Sequence, residues 1–273
     1  MNFHICHPED ALRPFVKQFY YWEDDSRGPI QLPQHLFALG DQYMVFMLEG
    51  TAMITPAAHA AFTVPRHAVT GHFTCACRLH VTGPVRMVIV QLNAYGCYRL
   101  LGIDGQSFTN YYRNLDLHEN AAWAQLGRQL QQVRAPQEIT ALLNGTLQQA
   151  LEADAPCLKQ ADEMADYMLA RQGNVSVEEL AQAFQLSRPT LERLFNRVIG
   201  MPPQLFARMV RFRNALQLAE RVQWQLPATA HYNLAMFIRD HLQFNGEMPS
   251  WYNAPGTIAH MPARPLQQVA VAS

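Results

Sequence analysis

The sequence predicts an α+β chain in two parts: a small β-barrel carrying a helical hairpin, then an all-α unit built on a helix-turn-helix. Three patterns predict it. Between Tyr20 and Leu92 the residues read mostly as short strands punctuated by Gly and Pro. From Asp116 to Asp154 the apolar residues recur at spacings of three and four. Ser176 to Phe195, SVEELAQAFQLSRPTLERLF, holds two short amphipathic stretches, each opened by a serine and separated by a short turn. The 273 residues are enough for two cores. The boundaries predicted are a β-rich part over 1–116, a helical hairpin over 117–156, a helical unit over 157–253, and a Pro- and Ala-biased disordered tail over 254–273.

In the first part, Pro14, Phe15 and Phe19-Tyr20-Tyr21-Trp22 mark an opening strand whose aromatics fill a core or line a pocket, with core filling favoured. Tyr43 to Leu48 reads as a buried strand that ends at a Glu49-Gly50 turn, followed by a second strand over Thr51 to Thr55. Arg78 to Thr82 alternates, Gly83-Pro84 turns the chain, and Val85 to Leu92 returns as the other arm of a hairpin. His67, His72, Cys75, Cys77 and His80 cluster in sequence and are of metal-ligating types. Their spacing fits no common zinc pattern, so barrel filling stands beside metal or redox sensing as a reading. Leu117, Ala121, Ala124, Leu126, Leu130 and Val133 form one helical stripe. A second runs from Pro136 through Ile139, Leu142, Leu143, Leu147 and Leu151. This hairpin caps the barrel or carries dimer contacts. Ala155-Pro156 marks the boundary, and a helix from Cys157 to Arg171 ends near Gly173.

In the second part, Ser176 and Glu179 have the spacing of a capping box, in which serine and glutamate each satisfy an otherwise orphaned backbone N–H. Val177, Leu180, Ala181 and Phe184 make one apolar stripe, and Leu191, Leu194, Phe195 and Val198 repeat it. Ser187 caps the second helix, and Pro189 is tolerated in its first turn. The outward face then carries Arg188, Pro189, Thr190, Glu192, Arg193, Asn196 and Arg197. Between Gln185 and Arg221 seven arginines face two glutamates, a balance suited to a phosphate backbone. The whole chain has a net charge of only −1, so this is a local patch rather than a global field.

These residues resemble the AraC family of bacterial transcription regulators over Ser176 to Glu220. The resemblance rests on Arg193-Leu194-Phe195, on Gly200-Met201-Pro202-Pro203, and on Arg208 to Ala215 matching RxxRxxxA. Phe237 to Tyr252 looks like the end of a second helix-turn-helix, with Gly246, Pro249 and Tyr252 on a GxxPxxY pattern. The segment before it departs from the family. Pro227 interrupts the preceding helix, the spacing from Ala215 is shorter by about one helical turn, and Leu234, Ala235 and Met236 stand where hydrogen-bonding side chains are expected. Gln185 replaces the glycine usual in the first turn, at a cost on the order of 1 kcal/mol for positive φ.

The resemblance implies a cupin-like N-terminal barrel that binds a small-molecule effector or dimerises, a double-stranded DNA partner and RNA polymerase as a second partner. No cofactor and no enzymatic activity are expected. Base contacts are expected from Arg188, Pro189, Thr190, Glu192 and Arg193. Phosphate contacts are expected from Ser187, Asn196, Arg197, Arg208, Arg211 and Arg239. Two other readings stay open: a cupin-type metalloenzyme built on His67, His72, Cys75 and Cys77, and an interaction protein with a degenerate DNA-binding unit. No recognisable carboxylate pair, phosphate loop or nucleophile elbow occurs. No signal peptide precedes Glu9 and Asp10, no apolar run spans a bilayer, and five cysteines stand without a secretory leader, so the cytoplasm is expected.

Overall fold

A computed structural model describes residues 2–30, 40–152, 159–221 and 233–249. The expected boundary at 156/157, Cys157, Pro227, Trp251, Tyr252 and the 254–273 tail lie outside these residues. Seven strands are described: β1 (Asn2–Cys6), β2 (Val16–Ile30), β3 (Gln42–Pro56), β4 (Phe62–Thr63), β5 (His67–Thr70), β6 (Cys77–Leu92) and β7 (Tyr112–Asn114). They form one antiparallel sheet in the order β1-β2-β6-β3-β5-β7, with β4 paired to β3.

Both faces of this sheet are buried, which explains why Tyr43 to Leu48 reads as a continuous rather than an alternating apolar run. Phe19, Tyr21, Met44, Phe46, Val88 and Val90 point to one face and meet Trp123, Leu126, Leu130, Ile139, Leu143 and Leu147. Those six lie on α2 (Ala122–Gln132) and α3 (Pro136–Glu152), so the predicted hairpin covers the sheet. The alternate residues Tyr20, Trp22, Tyr43, Val45, Met87 and Ile89 meet Phe62, Val64 and Ala68 in a second cluster to which no helix contributes. A sheet face covered by its own strands β4 and β5 and the link between them has folded over itself. Closure of the barrel is therefore by side chains; the hydrogen-bonded path still ends at β1 and β7 among the described residues.

Two predicted turns are not turns. Glu49-Gly50 lies inside β3, and Gly83-Pro84 lies inside β6, which runs unbroken from Cys77 to Leu92. The two sites face each other. A Cβ on Gly50, at φ +88°, would stand 2.8 Å from the carbonyl oxygens of Thr82 and Pro84. The β2 register shifts between Asp24 and Gly28, where Gly28 pairs with Gly83. Three long strands thus bend at one level, and Gly and Pro mark the bend instead of a reversal. A third correction concerns Leu117, which is 82% exposed and belongs to a 3-10 turn, Leu115–Leu117, capped by the Asn114 side chain. The helical stripe begins only at α2.

The remaining helices are α1 (Gly96–Leu101), α4 (Lys159–Ala170), α5 (Val177–Ala183), α6 (Arg188–Ile199), α7 (Pro203–Arg221) and α8 (Leu234–Asn245). Ala161, Met164, Leu180, Leu191, Phe195, Phe206, Phe212 and Phe237 from α4 to α8 share one core with Tyr95 and Tyr98 from the α1 region. The sequence reading missed α1, which is one of the links between the sheet and the helices. Arg99 pairs with Asp162 at 3.2 Å, and the Tyr95 hydroxyl bonds Asp166 at 3.0 Å. No helix among the described residues is long and apolar enough to cross a membrane.

Candidate nucleic-acid interface

The helix-turn-helix is assembled by its caps. Ser176 Oγ accepts from the Glu179 amide at 3.1 Å, and Glu179 accepts from the Ser176 amide at 2.7 Å, which closes the capping box over α5. The turn follows from Gln185, which sits at φ +54° in the left-handed region where glycine was expected. Its neighbour Leu186 returns an amide to the Ala181 carbonyl at 3.0 Å, the closing bond of a Schellman-type stop. Ser187 then caps α6, with Pro189 in the first turn where a missing N–H costs nothing. Leu191, Phe195 and Val198 are fully buried beneath α6, and Gly200 ends it at φ +89°.

That packing leaves one face of α6 open. Arg188, Pro189, Arg193 and Arg197 are exposed, while Thr190, Glu192 and Asn196 are half-buried. Arg188 is divided between Glu192, at 2.9 Å on its own helix, and Glu178, at 3.0 Å on α5. Arg193 pairs with no carboxylate among the described residues. The Ser187 and Thr190 hydroxyls lie 2.9 Å apart and bond each other. Arg197 stands 4.0 Å from Asp104 of the sheet-bearing part.

The arginines of α7 do other work. Arg208 reaches Asp240 on α8 through Nε at 2.7 Å and Nη2 at 2.5 Å, with its guanidinium over the Phe244 ring. Asp240 is fully buried, so this carboxylate needs a cation beside it. Arg239 Nε lies 3.1 Å from the same oxygen, and its side chain remains more than half exposed. Arg211 donates to the Gly173 carbonyl at 2.7 Å, tying α7 to the turn that follows α4. Arg213 lies 3.4 Å from Asp41, which also holds Lys17 at 2.5 Å. Arg208, Arg211 and Arg213, all counted in the basic patch, are therefore turned toward acceptors of their own chain. The sequence spacing could not reveal this, because Asp240 and Asp41 are remote in sequence.

In the second module Asn233 caps α8 by accepting from the Met236 amide at 3.0 Å. Its first turn presents Leu234, Ala235 and Met236, with Ala235 exposed. The segment 222–232 lies outside the described residues.

The suspected metal cluster disperses. His67 sits beneath α2, its Nδ1 2.7 Å from Asp116 and its ring against Gly127. His72 is buried at the seam with α7, Nε2 bonded to the Ala94 carbonyl at 3.0 Å and its ring edge-on to Phe206. Burial pushes its pKa down to about 4, against the opposing pull of the Ala94 carbonyl and Asp41. The Cys77 thiol donates to the Cys75 carbonyl, and His80 is exposed. Among the described residues no three His, Cys, Asp or Glu side chains converge as a ligand set.

Residues 4–114 match the model of a domain of unknown function, DUF6597. No curated protein matches. Among solved structures, an apo ToxT variant from Vibrio cholerae strain SCE256 is similar, with 10% identity over 86% of this chain and 96% of that one and a TM-score of 0.46. ToxT from Vibrio cholerae O395 is similar at 10% identity, 92% and 96% coverage and a TM-score of 0.42. The AraC-like transcriptional activator CuxR matches at 12% identity, 79% and 86% coverage and a TM-score of 0.29.

Proposed function

We propose that the chain is a sequence-specific DNA-binding transcriptional regulator. In this reading the open face of α6 enters the major groove, and the sheet-bearing part governs that activity. The observation that carries the reading is the face itself: a helix capped at its N-terminus, fixed from beneath by Leu191, Phe195 and Val198, with Arg193 exposed and paired with no carboxylate among the described residues. Arginine is suited to this place because its rigid fork of donors matches the acceptor pair on a guanine edge. Thr190, Glu192 and Arg188 stand beside it for base contact, and Pro189 offers only an apolar contact to a thymine methyl. Ser187, Asn196 and Arg197 are the nearer candidates for phosphate, with Arg239 the exposed cation of the second module.

The same reading takes a small-molecule effector or a second copy of the chain as input to the sheet-bearing part, RNA polymerase as a partner and the cytoplasm as location. The dispersal of His67, His72, Cys75 and Cys77 gives no support to a metalloenzyme.

Selection from random duplexes with the purified chain tests the proposal. An enriched motif is expected, and Arg193→Ala should lose roughly 1–3 kcal/mol on that motif while relaxing one base position. Equal losses on selected and random duplex would refute base reading by Arg193. Absence of any enriched motif would favour an interaction protein, a role to which the apolar start of α8 is suited.

A further inference from the structure

Two loops of the sheet-bearing part reach the helical part, and each touches the C-terminal end of a different helix. The first contains the 3-10 turn Gly105–Ser107 and runs on to Asn110. Here Thr109 Oγ1 donates to the Gly200 carbonyl at the end of α6, at 2.5 Å. The second loop, residues 71–76, reaches the end of α8. The Ala76 amide donates to the Gln243 carbonyl at 2.8 Å, the Gln243 side-chain amide donates to the Thr74 carbonyl at 3.2 Å, and Gly246 lies against Ala76.

The two loops continue the same strand pair. β5 and β7 are antiparallel, with Thr70 opposite Tyr112, so the first loop leads into β7 and the second leads out of β5. Beyond the strands the Gly71 amide donates to the Tyr111 carbonyl at 3.0 Å, and Asn110 adds a group of bonds centred on its side chain. Its amide donates to the His72 carbonyl at 2.9 Å. Its side-chain oxygen accepts from the Thr74 amide at 2.7 Å, and its side-chain nitrogen donates to the Thr74 hydroxyl at 2.9 Å. Asn110 sits at φ +60°, a conformation that asparagine tolerates better than most residues. One side chain thus joins the loop that holds α6 to the loop that holds α8.

We propose that Asn110 is a positioning residue that makes these loops one bracket, so that the sheet-bearing part sets the placement of α6 and α8 together. The physical reason is serial connection. A disturbance at Gly200 passes through Thr109 to Asn110, then through Thr74 to Ala76 and Gln243, because hydrogen bonds at 2.5 to 3.2 Å alternate with adjacent links of the chain itself. Anything that shifts the β5–β7 edge moves both helices at once. The regulatory meaning of the bracket rests on the DNA-binding reading, but the coupling itself does not.

Amide hydrogen exchange on the full chain tests it without DNA, so failure of DNA reading and failure of the bracket are distinguishable. Thr109→Val removes the hydroxyl bond to Gly200 and keeps the branched shape. In the otherwise native chain it should raise exchange around Gly200 and also at Ala76 and the end of α8, by roughly two- to tenfold, the range of one net hydrogen bond. Asn110→Gly removes the side-chain connection while retaining the freedom to hold positive φ. In that background Thr109→Val should still act around Gly200 but with a smaller effect at Ala76, because only the backbone bonds to His72 and between Gly71 and Tyr111 remain. Thr74→Val, which removes the hydroxyl from the same joint, is the second background and should weaken the transfer. Exchange at Ala76 that ignores Thr109→Val, or that responds equally in all three backgrounds, would overturn the proposal.

Discussion

Gly105 and Gly200 meet backbone to backbone: a Cβ built on Gly105 would lie 2.6 Å from the Gly200 nitrogen, and one on Gly200 would lie 2.6 Å from the Gly105 carbonyl oxygen. The atoms in the way are main chain, so no rotamer change relieves the clash. Gly200 also needs its glycine to end α6 at φ +89°. Gly105→Ala should therefore push the 3-10 turn off α6 and break the Thr109–Gly200 bond. The expected loss is about 1–3 kcal/mol, the usual range for overpacking a tight contact. Chemical denaturation of the full chain measures it, and an unchanged midpoint would mean that this seam adds nothing to the fold.

Arg208 and Arg193 should separate by phenotype although both were expected at DNA from sequence. Arg208→Ala takes from the fully buried Asp240 the guanidinium that reaches it at 2.5 Å and leaves the more exposed Arg239 at 3.1 Å. Removing one partner of a buried pair is costly because the other charge stays desolvated, and a loss of about 3 kcal/mol in stability is expected. Arg193→Ala touches an exposed side chain and should stay within about 0.5 kcal/mol of native stability. Unfolding curves for the two variants decide it. If Arg208→Ala unfolds like the native chain, the Asp240 pair does not hold α7 to α8.

The contrast between these arginines indicates what the sequence could tell. The first helix-turn-helix was legible almost residue by residue, because caps, apolar spacing and the strained position at Gln185 are local signals. Gly50 and Gly83-Pro84 were misread because glycine and proline announce a departure from straight strand without saying whether the chain reverses or bends. The pairing partners decide that, and they lie 30 or more residues away. Arg208 and Arg211 were expected at phosphate because an arginine run looks alike whether it faces DNA or an acceptor of its own chain, here the Asp240 carboxylate and the Gly173 carbonyl. Asn110 carried no sequence signal at all; its meaning comes from Thr74, which only the fold brings near.

Two buried groups at the seam should give stability opposite dependences on pH. Asp162 is raised from 3.8 to about 7, chiefly by burial, with Arg99 pulling it down and Asp166 and Glu163 pushing it further up. The folded chain then holds this proton more tightly than the unfolded chain. Its contribution is present below about pH 4 and is lost as pH rises to about 7. His72, lowered from 6.5 to about 4, works the other way, contributing above pH 6.5 and losing that contribution as pH falls toward 4. Between those limits the two slopes oppose each other. Asp162→Asn should leave a steeper acid-side loss, and His72→Gln should leave a loss on raising pH toward 7. Urea midpoints across pH 4 to 8 test both, and profiles parallel to the native one would exclude these groups as the source.

Glu178 should act as a brake on DNA binding, because it draws Arg188 back toward α5. Arg188 is shared between Glu178 and Glu192, and burial holds neither bridge in place. Glu192 travels with Arg188 on α6, so that pair can approach a groove intact. Glu178 lies one helix earlier, and a carboxylate there is left facing phosphate whenever Arg188 turns to DNA. Glu178→Gln removes that repulsion and frees the guanidinium. Affinity for duplex should rise at low salt, the gain should shrink as screening shortens the reach of the charge, and the logarithmic salt slope should steepen by up to about one. Glu192→Gln should also alter preference among sequences, since Glu192 stands on the face of α6 proposed to meet the bases. Anisotropy titrations at two salt concentrations distinguish these outcomes: a salt slope for Glu178→Gln identical to the native one would remove Arg188 from the DNA-facing set.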